Sequence, residues 1–163
     1  MKISYLLLLV APLAPLASAA SAKYFVRMTV QGVDLLKGTT KGFETSSPAR
    51  GLNLSVVAPV DIATGQATGK RRYAPISILQ DIDDSSPRVF GVLVTNRRVD
   101  TIRVDVQQGG KTVRTYTFTD ALITGVEHVS GLDDLDEKIT FTFRKWQLET
   151  TKGGLLVEDN WGF

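Results

Sequence analysis

His128 is the one histidine in a chain that has no cysteine. Any chemistry needing an imidazole or a thiolate therefore passes through His128 or fails. Ser130 and Asp133 follow it closely and are of the types that complete a nucleophilic triad. A triad is defined by geometry in space, however, not by closeness along a chain. His128 is read as a histidine at a strand end, and the chain as no enzyme. Asp81, Asp83 and Ser85 alternate like the opening of a calcium loop. That loop needs Gly where Ser86 stands and a closing acid where Val92 stands, so the reading is of carboxylates gathered at a helix N-terminus. Asp133, Asp134, Asp136 and Glu137 read as a solvated charged loop. "GKRRY", Gly69 to Tyr73, sets three cations beside an aromatic ring, suited to a phosphate, an acidic neighbour or simply water. Asn53-Leu54-Ser55 fits the glycosylation pattern but falls in an expected strand. No phosphate-binding or dinucleotide-binding glycine motif is present. The expectation is no catalytic residue, no cofactor and no metal; a zinc site would need a set of His or Cys ligands, which this chain lacks.

The residues that do not read as fold are the first ones. Met1-Lys2 is followed by an apolar run from Ile3 to Leu16 and by the small residues "ASAASA" from Ala17 to Ala22. This is the pattern of a secretory leader, with cleavage expected after Ala19 or Ala22. No stable membrane insertion is expected once it is cleaved, and the remaining chain is expected in the periplasm or outside the cell. Lys2 is the leader's only charge, so its removal takes the formal net charge from +2 to about +1. That balance is no footprint for nucleic acid. The charge is split, though: residues 23–120 carry 14 basic and 9 acidic groups, and residues 121–163 carry 4 and 8. Without cysteines the fold must hold through its core alone.

The elements that must carry these residues are mostly strands. Tyr24 to Gln31 alternates, with Tyr24, Val26, Met28 and Val30 on one face. Gly32 to Pro48 reads as loop, Leu52 to Ala58 as strand, Pro59 to Arg72 as loop and Tyr73 to Gln80 as strand, with Pro75 confined to an edge or a first position. Ser86-Pro87 then opens a short helix: Ser86 can accept from first-turn amides and Pro87 suits the first helical position. Val89, Phe90, Leu93 and Val94 form its apolar stripe, and Asn96 its stop. Val99 to Gln108 and Lys111 to Thr119 are strands joined by Gly109-Gly110, a two-residue hairpin signal. Ala121 to His128 is a short strand, Ser130 to Glu137 a polar loop, and Lys138 to Thr150 the longest strand. The fold class is mainly β: a small antiparallel β-barrel, two packed sheets, with one short covering α-helix.

The stretch "RRYAPISILQDIDDSSPRVFGVLVTNRRVDTIRVDVQQGGKTVRTYTFTDALITGVE", with "YFVRMTVQGV" before it and "EKITFTFRKWQLE" after it, resembles the Hcp family, the tube subunits of type VI secretion systems. The resemblance rests on the order of elements across most of residues 24–150. It implies a β-barrel with a helix against its side, self-association into hexameric rings that stack, and no catalytic residues. On that reading residues 1–22 are a signal peptide, 23–150 an Hcp-like barrel domain, and 151–163 a C-terminal arm or extra strand. Phe90, Leu93 and Val94 are expected to pack the helix onto the barrel. Arg71, Arg72, Trp161 and Phe163 are the expected subunit contacts, with Trp161 and Phe163 otherwise packing on their own barrel. Family tube proteins carry no such leader. Two alternatives therefore stand: an exported Hcp-like module binding a secretion-apparatus or envelope partner, and a small outer-membrane β-barrel.

Overall fold

The computed structural model describes residues 21–38, 40–130 and 135–161. Eleven strands and one helix occur among them: β1 Lys23–Val30, β2 Val33–Asp34, β3 Ser47–Asn53, β4 Val56–Val57, β5 Arg72–Tyr73, β6 Ile76–Asp81, α1 Ser86–Val94, β7 Arg98–Gln108, β8 Lys111–Ser130, β9 Leu135–Thr142, β10 Lys145–Thr150 and β11 Leu156–Asn160. Six of them, in the order β8-β7-β1-β3-β6-β9, close on themselves because β9 pairs again with β8. Every pairing is antiparallel. β10 pairs with the first half of β8, and β11 extends the sheet beyond it. Alternation explains the closure: one side chain in two faces the lumen, and the lumen is filled rather than open. Val26, Met28, Ile76, Ile78, Ile102, Val104, Ile139 and Phe141 are buried there, with Phe118 edge-on to Phe141 at 5.2 Å.

The turns follow from local chemistry. Gly109 and Gly110 have φ of 58° and 77°, the pair of positive values that a tight hairpin requires. Gln31, read as the end of the first strand, and Gly32, read as the start of a loop, make a similar turn, φ 51° and 74°, between β1 and β2. Asn96 ends the helix with φ 49°, and its N–H and that of Arg97 return to Leu93 and Val92.

Five expectations are corrected. The second strand lies earlier, at Ser47–Asn53, with Pro48 at its start where proline is tolerated. The two segments expected on either side of Asp120 form one strand, β8, with a corner where Asp120 takes φ 54°. Arg98 (2.6 Å) and Arg144 (3.1 Å) hold the Asp120 carboxylate at that corner. The long strand from Lys138 is instead broken between Thr142 and Lys145, opposite the same corner. The helix faces differently too. Ser86, Val89 and Val92 are buried beneath it and Leu93 is half-buried on the core, whereas Phe90 and Val94 are 49% and 61% exposed. A helix turns about 100° per residue, so the face that holds Val89 and Val92 cannot also hold Phe90. Nor does Ser86 cap: its Oγ accepts from Asp83 N–H at 3.2 Å, while the Asp83 carboxylate accepts from Ser85 N–H at 2.7 Å and from the Ser47 hydroxyl at 2.6 Å.

Candidate assembly surfaces

Residues 54–72 leave the barrel wall as an arm. Its base is the β4–β5 pair, Val56 opposite Tyr73 and Val57 opposite Arg72, and a single bridge joins Val60 to Ala67 farther out. Asp61 fixes the tip, accepting from the N–H groups of Ala63 (2.9 Å) and Thr64 (2.8 Å). These bonds hold its carboxyl below the ordinary carboxylate value, the Thr64 amide contributing most. The arm is ordered by its own backbone, yet Val56, Val57, Val60 and Ile62 stand exposed along it, Ile62 completely at 101%.

A polar clamp ties the root of this arm to the C-terminal strand. Arg71 donates two bonds to Asp159, at 2.9 and 2.7 Å, and the Tyr73 hydroxyl donates to the same carboxylate. Trp146 Nε1 donates to the Tyr73 oxygen at 2.9 Å. The hydrogen bond from Tyr73, and then that from Arg71, keep the Asp159 carboxyl below its ordinary value. Burial first, and the Asp159 contact second, push the Tyr73 hydroxyl above its own. Trp161 closes the clamp on the apolar side, its ring 5.6 Å from that of Tyr73 and 5.9 Å from that of Phe143. Lys70, Asn160 and Trp161 line a cleft of about 370 Å³ beside it.

The sequence-predicted contact residues therefore separate. Arg71 is committed to Asp159 within its own chain, and Trp161 packs on its own barrel. Arg72 lies on the exposed arm base. Phe163 lies outside the described residues, as do the leader through Ala20 and Asp133-Asp134. Phe90 and Val94 form an outward apolar strip on the helix. His128 stands opposite Glu137 in the register of β8 and β9. Sequence reasoning missed Asp159 as the anchor of the tail, and missed the arm valines. The available signal was "SVVAPVDIA", an apolar run in a segment with too few alternating positions to be a wall strand. The tail shows the same property: Leu155, Leu156 and Val157 are exposed at the outer edge of the sheet, where β11 has no strand beyond it among the described residues.

Comparison with known proteins fits this architecture. The family described as "Type VI secretion system effector, Hcp" matches residues 28–149. A curated relative, "Major exported protein" of Pseudomonas aeruginosa, is 25% identical over 138 residues, covering 74% of this chain and 78% of its own. A solved structure described as "Hcp protein" superposes with a TM-score of 0.78 at 23% identity, covering 85% of this chain and 99% of its own. The Hcp1 protein of Escherichia coli EAEC 042 gives 0.76 at 18% identity, over 85% and 97%. The secreted protein Hcp3 from Pseudomonas aeruginosa gives 0.69 at 18%, over 85% and 99%. At these identities the solved structures speak for the fold.

Proposed function

The chain belongs to the Hcp family of type VI secretion proteins, and from that premise we propose that it is a structural, non-enzymatic subunit that associates head to tail into hexameric rings able to stack. One observation carries the reading. Its exposed large apolar side chains concentrate on the arm, at Val56, Val57, Val60 and Ile62, and on the tail, at Leu155 to Val157. Contiguous apolar surface on an ordered element marks an interaction site. The two patches are different surfaces, so their pairing between copies is heterologous, and a heterologous contact whose rotation closes makes a ring. Arg72 at the arm base belongs to this contact in the proposal, and the net acidity of residues 121–163 against the net basicity of 23–120 favours the unlike pairing.

Export belongs to the same proposal. The leader ending at Ala19 or Ala22 would be removed and the barrel released to the periplasm or the medium, in keeping with the relative named an exported protein. Cleavage after Ala22 would leave a chain starting at Lys23, the first residue of β1. The leader also motivates a second reading, an exported module whose arm grips an envelope partner rather than a second copy. The outward side chains of β1 and β7 form ion pairs, Arg27 with Asp34 at 2.8 Å and Arg103 with Asp105 at 3.0 Å, which supports a wall facing water rather than lipid. Light scattering of the chain from Lys23 tests the first reading. Hexamer mass at high concentration is expected; a strict monomer there would leave only the binding module.

A further inference from the structure

Glu137 is fully buried, and so is Gln80 beside it. Gln80 Nε2 donates to Glu137 Oε1 at 3.1 Å. The other carboxylate oxygen, Oε2, accepts no hydrogen bond, and neither does Gln80 Oε1. Each of these two buried side chains thus keeps one oxygen with no hydrogen-bond donor, an arrangement that leaves lone pairs unsatisfied. His128 lies directly across the β8–β9 ladder, its side chain 62% exposed and its Nε2 3.6 Å from Glu137 Oε2. That separation is too long for a hydrogen bond. It is close to the ~3.4 Å that separates a nitrogen and an oxygen ligand each about 2.1 Å from one tetrahedral divalent ion.

We propose that His128 Nε2 and Glu137 Oε2 are the protein ligands of a zinc-class divalent ion at the barrel rim, with Gln80 fixing the carboxylate that reaches it. A mixed nitrogen and oxygen donor pair suits a first-row transition ion better than a hard cation. The Gln80 bond to the non-ligating oxygen is the kind of outer contact that orients a metal-binding carboxylate. Among the described residues no three His, Cys, Asp or Glu side chains converge, and water fills the other coordination positions in the proposal. Asp136, next along β9, turns away to Arg50 at 3.3 Å and takes no part. The proposal departs from the reading that the chain lacks zinc ligands, because one His and one Glu are brought together here by strand register, not by motif spacing. The proposal is independent of ring formation.

The test uses the untagged mature chain, stripped with chelator and titrated with zinc chloride by calorimetry, with magnesium chloride as the hard-cation control. One saturable zinc site per chain, not reproduced by magnesium, is expected. His128→Ala should weaken it at least tenfold while the metal-free melting temperature stays at the parent's, since the His128 side chain is largely exposed. Zinc binding equal in the parent and His128→Ala, or no saturation up to about 1 mM, would overturn the proposal and leave His128 and Glu137 as a cross-strand ion pair.

Discussion

The barrel wall and the arm are built from the same kinds of residue and put them to opposite use. In the wall, Ile102 and Val104 of β7 and Phe118 of β8 are buried completely, and the intervening Arg103 is ion-paired outside. In the arm, Val56, Val57, Val60 and Ile62 face water although backbone bonds fix the segment that carries them. The difference is one of neighbours. A strand with a ladder on both edges has a lumen to fill, whereas a short pair projecting from the wall has none. Order without burial therefore separates surface kept for another molecule from surface that stabilises this one.

That contrast can be attacked from the wall first. Phe118→Ala removes a fully buried ring packed edge-on against Phe141 and tilted against Phe143. A loss of about 3–5 kcal/mol is expected in denaturant unfolding, as for other buried Phe truncations. At the seam between the two regions, Asp159→Asn removes the anchor of the clamp, and about 1–2 kcal/mol should go with the Tyr73 hydrogen bond. This loss should depend on pH in a definite direction. The folded Asp159 carboxyl is held below its ordinary value, by Tyr73 first and Arg71 next. Its contribution is then complete above the ordinary carboxylate range and disappears as the pH falls through that range to the lowered value. Melting curves of parent and variant should stand farthest apart near neutrality and converge in acid.

Smaller effects on folding are expected farther out. Phe90→Asp alters a ring that the helix turns outward, so unfolding should change by less than about 1 kcal/mol. A larger loss would place Phe90 in the core and reverse the helix. Ile62→Asp at the arm tip should leave the unfolding midpoint within the shift that about 0.5 kcal/mol produces, yet lower the mass of the assembly in sedimentation. Equal destabilisation by Ile62→Asp and Phe118→Ala would erase the distinction between arm and wall.

Much of the wall was legible because alternation is a strong signal where a strand buries one face. β1 and β7 follow their apolar positions, and Gly109-Gly110 announced the turn from β7 into β8. The corners were legible in principle from a slip in phase. Apolar positions run Ile139, Phe141, Phe143 and then Trp146, Leu148, an odd-to-even change that coincides with the break before Lys145. They run Tyr116, Phe118 and then Ala121, Ile123 across the Asp120 corner in β8. The helix phase was not legible. Val89, Phe90, Val92, Leu93 and Val94 spread over more than half of the helix circumference, so the stripe is too wide to single out the face that meets β8. The clamp was hidden for another reason: Arg71 and Asp159 are far apart in the chain and meet only after β11 has paired with β10.

Hydrogen–deuterium exchange of the mature chain, at low and at high concentration, examines the arm and tail directly. Slowed exchange confined to residues 54–62 and 155–160 on concentrating the protein is the predicted result. Exchange there that is indifferent to concentration, with protection appearing instead over the outer face of the helix at Phe90 and Val94, would contradict the account.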